Sequence, residues 1–183
     1  MAPPGKLNRE MIVREAIALL NEGGLEAVSL RRIAERLNAR APSLARHVGD
    51  KAHLIALLSA AIFGQALEAI PPGLSGDEWL EAFGHAVRRK QSETRDIAAL
   101  LSTVEEDDAV QEGVHTELQR RMAEAGLTGS QAQVKQAAIQ ALVTGWMVFE
   151  KSPRARQFAS HLPTDHAFDD ALKALIAGFG PAA

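Results

Sequence analysis

Residues 28–54 read VSLRRIAERLNARAPSLARHVGDKAHL, and their spacing predicts two short helices set at an angle with a third following at once. Ser29 suits an N-cap, because its hydroxyl can accept from the free N–H groups of a first helical turn. Leu30, Ile33, Ala34 and Leu37 then fall at i, i+3, i+4 and i+7, which makes one apolar face. Asn38 tolerates the left-handed conformation needed to leave such a helix. Pro42 fits the first turn of the next, where a missing N–H costs nothing. That second helix, about residues 41–48, has little to bury beyond Leu44 and Val48, so Ser43, Ala45, Arg46 and His47 face outward. Helix, tight turn and short exposed helix make a helix-turn-helix, whose second helix enters a DNA groove.

Charge is distributed to match. The chain carries 20 Lys+Arg against 23 Asp+Glu, net -3, yet the cations gather at the front. Residues 1–53 hold 9 cations and 6 anions; the remainder holds 11 and 17. Duplex DNA attracts a local basic surface by releasing condensed counterions, so a basic head on an acidic body is the relevant asymmetry.

Across its 183 residues the chain is 46% hydrophobic, enough for an apolar core, and only 4% aromatic. Apolar residues recur at helical spacing and no long alternating β-branched segment appears, so the fold class is all-α. There is no cysteine, which removes disulfides, thiolate metal sites and cysteine nucleophiles together. The opening MAPPGKLNRE lacks the apolar region of a signal peptide, and nowhere do 18 apolar residues run together. The expectation is a soluble cytoplasmic protein with no membrane partner.

Outward from the motif, Asn8 can cap a first helix with Ile12, Ala16, Leu19 and Leu20 inward, stopped by Gly23 and Gly24. Lys6 lies ahead of it, near the basic surface. A helix from about Lys51 to Ile70 ends at Pro71-Pro72-Gly73, and Ser75-Gly76-Asp77-Glu78 is a capping box opening the next. A short helix follows near residues 97–104. Then comes one over about 108–125, introduced by the acidic run 105–108, whose carboxylates suit a helix N-terminus. Residues 137–149, AAIQALVTGWMVF, are apolar nearly all round and should lie at the centre of their domain. A polar loop over about 152–164 leads to a last helix with Phe168, Ala171, Leu172, Leu175, Ile176 and Phe179. Domains are expected over 1–53, a DNA-binding head, and 54–183, a helical remainder.

With Ala16-Ile17-Ala18-Leu19-Leu20, Gly24-Leu25, Ser29-Leu30-Arg31-Arg32-Ile33-Ala34, Leu37 and Leu44-Ala45-Arg46-His47-Val48-Gly49-Asp50-Lys51 in place, the chain resembles the tetracycline repressor (TetR) family. Leu7-Asn8-Arg9-Glu10, Leu19-Leu20-Asn21-Glu22 and Pro42-Ser43-Leu44 make it look closer to the tetracycline-binding members than to the average member. More weakly, Gly76-Asp77-Glu78-Trp79, Arg95-Asp96, Gly145 and Glu150 extend the likeness. The resemblance implies a homodimeric repressor released from an operator by a small molecule. Departures matter too. Ala45 stands where the family commonly has an aromatic and Arg46 where the tetracycline-binding members have Trp, so the operator should differ. Leu101 and Leu142 replace histidines that help hold a magnesium chelate, and Glu150 alone is an insufficient metal site. Neither metal nor cofactor is expected.

Candidate DNA contacts are Ser29, Arg31, Arg40, Ala41, Pro42, Ser43, Ala45, Arg46, His47 and Lys51. Arg31, Arg40 and Arg46 can grip guanine edges, Ser43 and the Ala45 methyl can touch bases, and Lys51 suits phosphate. His47 is equally suited to phosphate or to packing beneath its helix. Candidate ligand residues are Trp79, Phe83, Leu101, Leu118, Trp146 and Met147 as apolar lining, with His85, Thr144 and Glu150 as polar groups. The same residues would also serve as solid core. His85 and His115 lack an i, i+4 histidine partner, and no paired nucleophile and base is recognisable. The reading is therefore a non-enzymatic, ligand-responsive repressor. A constitutive DNA-binding regulator and a helical small-molecule carrier are the alternatives.

Overall fold

The computed structural model describes residues 7–105, 107–158 and 166–179. These form ten α-helices with no strand among the described residues, as the periodicity requires. The chain divides into two compact units, residues 1–63 with 93–114, and residues 64–92 with 115–183.

The first unit begins with α1 (Arg9–Gly23), where the Asn8 side chain accepts from Met11 N–H at 2.8 Å. Ile12, Ala16 and Leu20 are fully enclosed with Val28, Ile33, Leu44, Val48, Leu54 and Leu58. Each such large aliphatic side chain contributes about 1.5–3 kcal/mol relative to exposure. A 3-10 turn (Leu25–Ala27) leads to α2 (Leu30–Arg36), α3 (Ala41–Val48) and α4 (Lys51–Glu68). Asp50 caps α4 by accepting from His53 N–H at 2.9 Å. Farther along, α6 (Ile97–Thr103) belongs to this unit, and Asp107 caps α7 (Asp108–Glu124) through Val110 N–H at 3.1 Å. The same carboxylate accepts from the His53 ring, which holds its pKa below the usual carboxylate range.

Asp96, at φ 52 just before α6, turns its carboxylate onto Leu25 N–H at 3.1 Å, while Arg95 donates to the Glu22 carbonyl at 2.8 Å. Gly24 makes this approach possible. At φ 76 and ψ -177 it occupies a region open essentially to glycine alone, and a Cβ there would meet the Asp96 carboxylate. Gly24→Ala should therefore cost about 1–3 kcal/mol, read as a lower urea midpoint. An unchanged midpoint would mean that the turn relaxes freely.

In the second unit, Glu78 accepts from Ser75 N–H at 3.4 Å at the start of α5 (Gly76–Glu93). Trp79 and Phe83 stack at 5.3 Å, and Gly84 lets α5 press against Leu172 and Ile139. Glu117 on α7 accepts from Arg120 and Arg121, and Arg121 also donates to the Leu67 carbonyl at 2.8 Å. The two guanidinium groups hold the Glu117 carboxyl down at about 2 from its ordinary 4.5. Because the folded value is the lower one, this stabilisation is complete above about pH 4.5 and is lost as pH falls towards 2. The gap in thermal midpoint between the parent and Glu117→Gln should close over that window; a pH-independent gap would contradict it.

Next, α8 (Gly129–Glu150) buries Ala132, Lys135, Ile139, Val143 and Met147. Its expected all-round burial is not observed. Val134 is 60% and Val148 58% exposed, and Ala137, Ala141 and Gly145 are open on the same stripe. A single chain supplies neighbours for one face only. The expected polar loop is partly helical, because Ser152 Oγ accepts from Ala155 N–H at 3.3 Å and Pro153 opens α9 (Pro153–Phe158). The remainder of that loop, with His161, lies outside the described residues, as does Lys6. Last, α10 (Ala167–Gly178) directs Phe168, Leu172 and Ile176 inward.

Candidate nucleic-acid interface and regulatory site

The helix-turn-helix is built as its sequence dictates. Ser29 Oγ accepts from Arg32 N–H at 3.3 Å, so this candidate contact also caps α2. At the other end Asn38 adopts φ 49, Ala39 N–H reaches the Ala34 carbonyl at 2.9 Å and Asn38 N–H the Glu35 carbonyl at 3.3 Å. That pattern is a Schellman motif, with Asn in the place usually given to Gly. Arg40 caps α3 through its backbone alone, and Pro42 sits in its first turn. Gly49 ends the helix at φ 62 by donating to the Ala45 carbonyl at 2.9 Å.

Only Leu44 and Val48 of α3 are buried. Arg40, Pro42, Arg46 and Lys51 are exposed, while Ala41, Ser43, Ala45 and His47 are half-buried. All line the outward side of one short helix and its two ends. Arg46 touches Ser43 Oγ at 3.4 Å, a weak contact that a base edge would displace. Arg31 is exposed on α2 and pairs with Glu35 at 3.0 Å, a solvated i,i+4 pair worth little. His47 is half-buried, and its backbone carbonyl accepts from Arg9 Nε at 3.2 Å. This contact of Arg9 could not be read from the sequence, since 38 residues of chain separate the two partners.

Not every cation of the head is left unpaired. Arg36 pairs with Glu15 at 2.8 Å and with Glu22, beside a surface groove of about 570 Å³ also lined by Leu19, Ala27 and Arg32. Those carboxylates hold the Arg36 pKa above its already high value. By contrast, Arg40 and Lys51 have no carboxylate partner among the described residues.

The ligand candidates fall into separate groups. Trp79 and Phe83 are packed on each other, 4% and 0% exposed; Leu118 and Met147 are also buried. Leu101 is 38% exposed on α6, in the first unit. A second group converges on Phe168, which sequence reading assigned only to core. His85 and Trp146 approach its ring edge-on at 6.0 and 5.8 Å, and the Arg88 guanidinium covers its face at 4.1 Å. Arg88 binds Glu150 at 2.5 Å, and Trp146 Nε1 donates to the same carboxylate at 2.8 Å. Glu150 is thus neutralised within its own chain. His85 also lies 3.7 Å from both Glu81 and Asp169. Thr144 accepts from Gln91 Nε2 at 3.5 Å. Neither Arg88 nor Gln91 stood out in the sequence, because one looked like a surface cation and the other like a polar helix position.

Comparison with known proteins supplies the context. Residues 12–58 match the family model for bacterial regulatory proteins, tetR family. The class D tetracycline repressor protein of Escherichia coli is 30% identical over 126 residues, 67% of this chain and 57% of that protein. The chain spans about half the length of the curated relatives it matches. Two solved structures share the fold over nearly the whole chain. One is a variant of TetR from Acinetobacter baumannii AYE in complex with minocycline, 24% identical with a TM-score of 0.70, covering 94% of this chain and 93% of that one. The other is the Streptomyces coelicolor TetR family protein ActR in complex with actinorhodin, 23% identical with a TM-score of 0.69, covering 98% and 96%. Among the described residues no helix is long and apolar enough to cross a membrane. The capped helix-turn-helix, the aligned repressor and the shared fold together place this chain in the tetR family of bacterial regulatory proteins.

Proposed function

We propose that the protein is a cytoplasmic, homodimeric transcriptional repressor that leaves a double-stranded DNA operator when a small, mostly apolar organic effector binds. Residues 1–53 would form the DNA-binding head and residues 54–183 the regulatory and dimerisation domain. The observation that carries the reading is α3, anchored by Leu44 and Val48 and presenting Arg40, Arg46 and the Ser43–Ala45 surface without competing carboxylates. One such helix covers a few base pairs, so a two-fold partner about 34–36 Å away supplies the second half-site. The open stripe of α8, with Ala174 and Gly178 exposed on α10, offers a face for that partner.

The effector reading is supported by the aromatic groups around α5, α8 and α10, and by the minocycline and actinorhodin complexes of the neighbours. No metal should be required, since Glu150 is already engaged by Arg88 and Trp146. A releasing ligand must bind the low-affinity state better, because equal affinity shifts nothing. The test is selection of an operator from random duplexes, followed by release assays with actinorhodin and with minocycline, each with and without magnesium. Sequence-specific binding and magnesium-independent release are expected. Release by minocycline only in the presence of magnesium would refute the metal-free site. The stacked Trp79–Phe83 core favours a second reading, a constitutive regulator, which uniform failure of release would support.

A further inference from the structure

Along the inward face of α5, Leu80, Phe83 and Val87 follow at helical spacing, each 2% exposed or less, and the next position on that face is Gln91. It is 6% exposed. Its amide N–H reaches Thr144 Oγ at 3.5 Å, the far end of hydrogen-bonding range, and its carbonyl oxygen is buried with no hydrogen-bond partner. Val87, one turn earlier on α5, and Val143 and Met147, close to Thr144 along α8, are buried apolar side chains that can donate no hydrogen bond. A buried acceptor left unmet is costly, and Leu or Met would fill the volume without that cost. A polar side chain in this seam therefore calls for a partner from outside the chain.

We propose that the Gln91 carbonyl oxygen, beside Thr144, is the specificity-determining contact for the effector, accepting a hydrogen bond from a hydroxyl or N–H on an otherwise apolar molecule. This rests on the effector reading above and narrows it to ligands carrying a donor. A site built to bond a hydroxyl rejects the analogue lacking it, because its own buried group is then left unpaired.

The full chain is titrated by ligand-observed NMR with naphthol, methylnaphthalene and methoxynaphthalene, one ring system bearing a donor, no polar group and an acceptor only. The parent should prefer naphthol to the other two by roughly five- to tenfold. Gln91→Leu should bind all three alike and melt no lower than the parent, with Gln91→Met carrying the same test if the leucine variant folds poorly. Equal affinities in the parent, no naphthol binding, a methoxynaphthalene preference, or a naphthol preference that survives in the folded variants would each overturn the assignment. Operator release is scored separately. Naphthol discrimination that leaves the operator complex intact would uphold the Gln91 contact while removing the effector reading.

Discussion

Val148→Arg is expected to give a folded monomer that has lost specific operator binding altogether. In the isolated chain Val148 is 58% exposed, so an arginine there stays solvated and the fold tolerates it. In a dimer built on the open stripe of α8, the same side chain would bring an unpaired charge into an apolar interface, which is strongly unfavourable. The stripe suits such an interface. Val134, Ala137, Ala141, Gly145 and Val148 recur at three- and four-residue steps along about 21 Å of helix, with small residues that allow close approach. A monomer retains one recognition helix and falls towards the non-specific range, on the order of a thousandfold or more weaker than a dimer on its palindrome. Sedimentation and operator titration read the two consequences independently. Leu175→Arg, on the half-buried edge of α10, should act in the same direction. If Val148→Arg still sediments as a folded dimer, the interface lies elsewhere.

The head was legible in the sequence because every signal there is local. Asn8 and Ser29 fix helix starts through their side-chain oxygens, Asn38, Pro42 and Gly49 fix helix ends through their backbone conformation, and the structure places each where that chemistry requires. Burial of Leu44 and Val48 follows from spacing alone. The rest of the chain was legible as helices but less so as a site. Periodicity identifies α8 as apolar on both faces, yet cannot distinguish a helix enclosed by its own chain from one with a face left open. Nor can it see Arg88 lying over Phe168, a contact across 80 residues that turns an apparent surface cation into part of an aromatic cluster. Gln91 shows the same limit in reverse. Its burial depends on α5 packing against distant segments, as Gly84 does against Ile139 and Leu172, and no local pattern reports such an approach.

Arg46→Ala and Lys51→Ala are expected to weaken operator binding in two distinguishable ways. Arg46 is exposed on the outer side of α3, one turn from the Ser43 it touches at 3.4 Å, so its guanidinium is free to bond a guanine edge bidentately. Its loss should cost about 1–3 kcal/mol per half-site on the selected operator and much less on mismatched DNA. Lys51 is also exposed, but it opens α4 beyond the Gly49 turn, a position from which an ammonium would be expected to meet backbone phosphate instead of base edges. Removing it should weaken binding to all sequences alike and reduce the salt slope by about one counterion per site. Arg36→Ala serves as the control, because Glu15 and Glu22 already hold that guanidinium and it should leave the salt slope unchanged. Titration over a range of salt, on operator and scrambled duplex, separates the three. Should Arg46→Ala lower affinity equally on both duplexes, or Lys51→Ala relax sequence preference, the division of α3 and α4 into base-reading and phosphate-holding elements would have to be reversed.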